Sequence, residues 1–455
     1  MIKKLLIANR GEIAIRIIRT CKEMGIKSVA IYSQADKESL HRYMADESIC
    51  IGPNSISKSY NNIDNIIYLA MKMKCDAIHP GFGFLSENSD FAKKCIENNI
   101  IFIGPNYEQI DKMGDKSTAR DTMINSNVPV VPGSKGIILD IEDAIVTAKE
   151  IGYPVLIKAS SGGGGKGMRV ANDEEELVAN FNIAKAEALS AFGNDEMYLE
   201  KYIKNPRHIE VQVFGDSFGN SVHFGDRDCS MQRRNQKVIE ECLSPYLDDE
   251  TRNKLYDAAI KATKSVNYIG AGTVEFIVDN DKNFYFIEMN TRIQVEHPIT
   301  EMITGIDLIK LQILIASGKQ IPYTQENIKF NGHAIECRIN AEDAFDNFRP
   351  CPGKIESIHV PGGLGVRFDS FVYGGYVIPP LYDSMIGKLI CWANDREECI
   401  NRMRRALDEL IIEGVETNVE FQKKLMASEV FVKDEHHTKF IENEFMNKFI
   451  EVKYD

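Results

Sequence analysis

Three short stretches of this chain gather residue types that handle phosphate, divalent metal and a small oxyanion. The first is Ser160-Ser161-Gly162-Gly163-Gly164-Gly165-Lys166-Gly167, with Lys158 just before it. Consecutive glycines let several backbone N–H groups approach one anion, and flanking lysines add charge where phosphate oxygens would lie. It is not a Walker A loop, because Gly167 rather than Ser or Thr follows Lys166. A flexible surface hairpin is the competing reading. The second stretch is a pair of apolar segments, Thr273-Val274-Glu275-Phe276 and Phe286-Ile287-Glu288-Met289-Asn290. Strand alternation sets Glu288 and Asn290 on one face. If Glu275 faces the same way, hard oxygen donors converge in a manner that suits Mg²⁺ bridging nucleotide phosphates; a solvated strand edge is the alternative. The third runs from Met289 to Pro298 and packs Arg292, Gln294 and Glu296 closely together. A guanidinium can grip a planar trigonal oxyanion bidentately, and a nearby carboxylate can take its proton. A helix-capping segment before Thr300 would explain only part of that assortment.

The elements that must position these residues follow from hydrophobic pattern. Leu5 to Ala8 reads as a buried strand. Ile13, Ile17, Cys21 and Met24 then repeat at helical spacing, Gly25 stops the helix, and Lys27 to Tyr32 is a second strand. This βαβ opening predicts a doubly wound parallel sheet. Its first turn, Asn9-Arg10-Gly11-Glu12, lacks the G-x-G-x-x-G of a nicotinamide or flavin site. Further strands are expected at 76–78 and 100–103. A polar helix begins near Asp115, and strands are expected at 154–158, 197–202 and 209–213. A long helix over about 248–267 precedes the paired strands 272–278 and 284–290, joined by a short turn. Short strands and two helices are expected over 333–445. The boundaries predicted are 1–114, 115–330 with a lid over about 131–203, and 331–446.

Composition sets the limits. A chain of 455 residues with 44% apolar and 27% charged residues is ordinary for a globular protein of several units. The net charge of −13 opposes nonspecific binding to nucleic acid or anionic lipid. The ten cysteines are scattered with no C-x-x-C pair, which argues against a zinc site and for a reducing, cytoplasmic setting. No run of apolar residues is long enough to span a membrane.

At the stretches above, the sequence closely resembles the ATP-grasp superfamily and, within it, the biotin carboxylases. The resemblance runs collinearly from Ala8–Glu12 through His79–Asn88, the glycine loop, Arg227–Arg234, Glu288–Pro298 and Glu336–Asp343, and covers about residues 1–445. It implies an α/β (mixed α+β) ATP-grasp fold: an N-terminal parallel-sheet domain, a glycine-loop lid and a C-terminal α+β domain. Lys116, Lys158, Gly164 and Gly165 would hold ATP phosphates. Glu200, Lys201 and Ile203 would read adenine, with His208, Gln232 and Asn235 beside the nucleotide. Glu275, Glu288 and Asn290 would bind Mg²⁺ (or Mn²⁺). Lys237, Arg292, Gln294 and Val295 would cradle bicarbonate, with Glu296 as general base and Arg338 facing biotin. Arg16, Arg19, Glu23 and Arg367 resemble a homodimer surface and its neighbourhood. The implied reaction is the first half of acetyl-CoA carboxylase, leading to malonyl-CoA and fatty acid synthesis, with a biotin carboxyl carrier protein and carboxyltransferase subunits as partners. A subunit of a pyruvate or other acyl-CoA carboxylase is the alternative.

Three positions depart from the family pattern: Asn235 stands where many relatives carry His, Cys242-Leu243 replaces Ala-Pro, and Leu364 replaces an aromatic residue. Ala70-Met71-Lys72-Met73 resembles the surroundings of a biotinylated lysine. It falls instead in an amphipathic helix pattern whose apolar face is read as Ile66, Ile67, Ala70 and Met71, so biotin is expected on another chain. Two other functions stay open: a different ATP-grasp ligase joining a carboxylate to an amine, and a nucleotide-binding partner protein without turnover.

Overall fold

The computed structural model describes residues 2–159, 168–192 and 194–451. Strand β1 (Lys4–Ile7) leads through α1 (Gly11–Glu23) to β2 (Lys27–Ser33) and β3 (Glu47–Gly52). Helix α2 (Ile63–Lys72), β4 (Ala77–His79) and β5 (Ile101–Phe102) complete a parallel sheet ordered β3-β2-β1-β4-β5. α1 ends as the apolar spacing predicts, with Gly25 at φ +68. Its faces bury Ile13, Ile17 and Cys21 in one core and Ile15 in another.

At the carboxyl edge of this sheet the Asn9 side chain donates to the carbonyls of Pro80 and Phe82, both at 2.7 Å. Gly81 sits there at φ +64, and a Cβ at that point would stand 2.9 Å from Asn9 Nδ2. Only glycine lets the two turns close on each other.

Among the described residues, those from 116 onward build two larger sheets and two two-stranded ribbons. Helix α3 (Lys116–Asn125) is capped by Asp115, which accepts from the Thr118 amide. Helix α4 (Ile141–Ile151), strands β6 (Val155–Ala159) and β7 (Met168–Ala171), helix α5 (Glu174–Phe192) and strand β8 (Met197–Lys201) form a small unit whose sheet runs β7-β6-β8. Ala144, Ala148, Leu177, Phe181 and Ala184 pack against that sheet.

The strands of the largest sheet are β9 (Arg207–Gly215), β10 (Ser221–Arg233), β11 (Gln236–Cys242), β12 (Gly270–Val278), β13 (Phe284–Asn290), β14 (His333–Asn340), β15 (Val366–Ser370) and β16 (Met385–Ala393). They make one antiparallel sheet ordered β13-β12-β9-β10-β11-β14-β16-β15. Helix α6 (Asp249–Ser265) packs on it, and α7 (His297–Thr304) follows β13. The sheet runs across residue 330 without a break, because β14 pairs with β11.

Two expectations are corrected. The C-terminal part holds more than two helices: Arg396–Glu409, Val419–Ala427, Glu429–Val432 and Met446–Glu451, besides a π-helical turn at Ile441–Phe445. The shorter ones carry little periodicity of their own and are held by Phe421, Phe431, Phe445 and Phe449 in the core. On α2 the buried face is Ile66, Ile67, Leu69 and Ala70, while Met71 is exposed. Lys72 closes that helix, far from the hairpin tip a biotinyl lysine requires.

Candidate active site

The large sheet carries its chemistry in cross-strand rows. Glu288 lies opposite Glu275, Glu275 opposite Glu210, and Glu210 opposite Arg227, so one row crosses β13, β12, β9 and β10. Directly opposite residues share a face. Glu275 therefore faces the same way as Glu288, the condition the sequence left open. A solvated edge is excluded for Glu275 and Asn290, which are buried.

Lys237 is the hub beneath the cleft. Its Nζ donates to Glu210 at 2.5 Å, Glu296 at 2.7 Å and Glu275 at 3.1 Å. Burial opposes its charge, but these three carboxylates hold it well above the ordinary lysine range. Glu275 also accepts from Asn290 Nδ2 at 2.8 Å and Gln294 Nε2 at 2.9 Å, and stands 3.0 Å from His208. Burial alone would lift the Glu275 carboxyl; Lys237 and His208 overcome that and hold it far below the usual range. Glu288 moves the other way, raised by burial and by Glu275. Two adjacent carboxyl groups, one held low and the other raised by burial and by its neighbour's charge, form a site that a divalent cation would relieve. The oxygen donors Glu275, Glu288 and Asn290 fit Mg²⁺.

Glu296 occupies the cap position of α7 but makes no side-chain cap there. The capping reading of this stretch therefore fails for it. The side chain is wholly buried, with Oε1 accepting from Lys237 and Oε2 from Arg338 Nη2 at 3.0 Å. Against burial, Lys237 and Arg338 hold the Glu296 carboxyl well below its usual range. Arg338 on β14 is gripped from the other side by Glu240 Oε1 at 2.6 Å. Its carbonyl accepts from Asn418 and Gln422. Arg292 donates to Gln294 Oε1 at 2.7 Å, to Asn290 Oδ1 at 2.9 Å and to Glu87 Oε2 at 2.8 Å. Glu87 comes from the N-terminal sheet's side, so this arginine joins two units.

Lys237, Glu275, Glu288, Asn290, Arg292, Gln294 and Arg338 line a cleft of about 1060 Å³ shared with Lys116, Lys158, His208, Gln232, Asn235 and Val295, while Glu87, Glu210, Glu240 and Glu296 are not among its described lining residues. Lys158 pairs with Glu200 at 2.9 Å across the lid sheet. Gln232 Nε2 lies 3.1 Å from His208 Nδ1. Asn235 has a physical reason to be there. With Arg234 at φ +49 and Asn235 at φ +62, the β10–β11 hairpin closes in a two-residue turn of the I′ kind, where asparagine is favoured. Glu200, Lys201 and Ile203 are not among the described residues that line the cleft. Lys201 Nζ donates instead to the carbonyls of Gly152 and Tyr153, both at 2.8 Å, and its amide donates to the Pro132 carbonyl, so its side chain is engaged within the small sheet's unit. Gly164 and Gly165 lie outside the described residues. Of the surface set, Arg16 is turned inward, pairing with Glu301 at 2.6 Å and Asp307 at 2.7 Å, and Arg367 joins it on Glu301 at 2.8 Å. Arg19 and Glu23 remain at the surface, and Leu364 is 82% exposed.

The sequence reading missed Glu210, Glu240, Arg227 and Glu87 as site residues. Glu210 carried a signal: Ile209-Glu210-Val211-Gln212-Val213 alternates polar residues into a strand that is buried throughout. Arg227 and Glu240 offered none, since β10 and β11 were not read as strands.

A small three-stranded sheet beside a cleft lined by paired carboxylates, lysines and arginines is the arrangement of an ATP-dependent ligase of the ATP-grasp class. Three family models match the chain: "Biotin carboxylase, N-terminal domain" over residues 1–110, "Carbamoyl-phosphate synthase L chain, ATP binding domain" over 115–324, and "Biotin carboxylase C-terminal domain" over 336–443. Biotin carboxylase 1 of Bacillus subtilis is 58% identical over 97% of this chain and 98% of its own. A solved biotin carboxylase–ATP-analogue complex from Campylobacter jejuni is 53% identical, covers 97% of this chain and 98% of its own, and superposes with a TM-score of 0.90. The biotin carboxylase domain dimer of Hydrogenobacter thermophilus 2-oxoglutarate carboxylase, solved with MgADP, ADP and bicarbonate, is 52% identical over 97% of each chain, with a TM-score of 0.89. The chain belongs to the biotin carboxylase family.

Proposed function

We propose that this chain uses ATP and bicarbonate to carboxylate biotin carried by a separate carrier protein, as the first half-reaction of acetyl-CoA carboxylase. The observation that supports this most is Glu296, wholly buried and held between Lys237 and Arg338. Lys116, Lys158 and the loop at Gly164 and Gly165 bind the ATP phosphates. His208, Gln232, Asn235 and the main chain of Glu200, Lys201 and Ile203 hold the rest of the nucleotide. Glu275, Glu288 and Asn290 would hold Mg²⁺ (or Mn²⁺), which would supply charge neutralisation for phosphoryl transfer.

Lys237, Arg292, Gln294 and Val295 bind bicarbonate. As the anion takes over Lys237, the ion pair that keeps Glu296 from protonating weakens, and its proton affinity rises until it can accept the bicarbonate proton. The bicarbonate oxygen then attacks the γ-phosphorus, giving carboxyphosphate and ADP. Carboxyphosphate breaks to CO₂ and phosphate, phosphate removes the ureido proton of biotin, and Arg338 stabilises the enolate-like oxygen that results. The biotin nitrogen attacks CO₂.

The units proposed are 1–114, 115–330 with a lid at about 131–203, and 331–446. We place the protein in the cytoplasm, where ten free cysteines are at home. No described helix is long and apolar enough to cross a membrane. We propose a homodimer, with carrier and carboxyltransferase chains as partners. A second acceptor class, a keto acid, is favoured by the likeness to a 2-oxoglutarate carboxylase domain. The deciding assay is phosphate release from ATP with and without bicarbonate and free biotin. Bicarbonate-dependent release stimulated by biotin is expected; release indifferent to both overturns the reading.

A further inference from the structure

Lys388 lies on β16 directly opposite Arg338, and its side chain is wholly buried. A buried ammonium is costly unless partners compensate it. Its Nζ reaches Glu12 Oε1 on α1 at 3.1 Å and donates to the Val295 carbonyl at 2.8 Å. The ring of Phe82 lies 5.9 Å away. Burial opposes the charge, yet Glu12, Glu336 and Asp369 hold Lys388 above the ordinary lysine range. Lys388 does not line the cleft, whereas Val295 does. Its bond falls on the planar peptide between Val295 and Glu296, so it fixes both the carbonyl of one residue and the amide of the next.

We propose that Lys388 is a positioning residue for the anion pocket: by tying the Val295 carbonyl to Glu12 of α1, it sets the turn that presents Val295 and Glu296 to bicarbonate. This rests on the reading of the cleft as a bicarbonate site. The contact joins three parts of the chain at one atom: the N-terminal helix, the turn before α7, and the strand beside Arg338. A small displacement of that turn would be felt in anion binding before it is felt at the nucleotide phosphates, which other elements hold.

The test measures bicarbonate-dependent phosphate release from MgATP with free biotin, comparing wild type, Lys388→Met and the double variant Glu12→Gln/Lys388→Met. The double variant removes the carboxylate that the single one would leave buried and unpaired. The expected result is a KM for bicarbonate raised about 10-fold or more in every variant that folds, with the KM for MgATP unchanged. A folded variant whose KM for bicarbonate is that of the wild type overturns the proposal, as does a fall in kcat with both KM values unmoved. A double variant that cannot fold overturns it too, assigning Lys388 to the fold alone. If the wild-type chain itself shows no bicarbonate dependence, the functional reading falls and this one with it. Dependence in the wild type with unmoved KM in the variants overturns only the role of Lys388.

Discussion

Arg338 is the residue on which two kinds of chemistry meet, since it is clamped between Glu240 and Glu296 in a buried setting. Arg338→Ala is expected to keep nucleotide affinity, measured by ATP titration, while carboxylation of biotin falls by about 10²–10³. Equal loss of both would remove its assigned role. Glu240 makes a separate prediction. Burial lifts its carboxyl to about 7 against the pull of Arg338, whereas its ordinary value is 4.5. A carboxyl raised on folding binds more protons in the folded state, so its contribution is full below about 4.5 and is lost as pH rises through 7. Urea midpoints at pH 5 and pH 8 should therefore differ less for Glu240→Gln than for the wild type. Glu275, Glu288 and Glu296 were legible from type and spacing alone, because a carboxylate in an apolar run asks for a reason. Glu240 was not legible, because its reason is a cation that lies 98 residues further along.

At the scale of elements, what could be read was what repeats. α1, the long helix α6 and the hairpin β12–β13 follow from strong apolar periodicity and a turn rich in polar residues. The strands β10 and β11 escaped because their inward positions hold Arg227, Gln232, Lys237 and Glu240, so a buried strand looks polar. Register could not be read at all, yet it is register that puts Glu275 opposite both Glu288 and Glu210. The tip of β10–β11 gives a stability prediction. At φ +62 Asn235 tolerates a conformation that a β-branched residue does not. Asn235→Val should cost about 1–2 kcal/mol, and Asn235→Gly should be near neutral, in denaturant unfolding.

The whole molecule is less divisible than its family models. α1 contributes to two cores, one with Ile293 and Leu308 and one with Ile335 and Phe371. Strand β14 is flanked by β11 and β16, so cutting the chain near 330 would turn a central strand into an open edge. It would also strip Ile15, Met231, Val238 and Ile239 from the C-terminal core. A fragment of residues 331–446 expressed alone is therefore expected to lack cooperative thermal unfolding and to aggregate. A sharp calorimetric transition from that fragment would contradict the shared core. The motifs could be read in the sequence because they are local; the shared core could not, because it is made by contacts distant in the chain.

The row from Glu288 to Arg227 has one more consequence, for how the chain reaches this structure. Glu210 and Arg227 meet at 2.5 Å with both side chains shut away from water. Sliding either strand by a single residue would turn one of the two to the opposite face and leave the other buried without its ion-pair partner. Misaligned pairings are thereby penalised far more heavily than they would be in an all-aliphatic sheet, so the charges at the heart of the site also proofread the sheet's assembly.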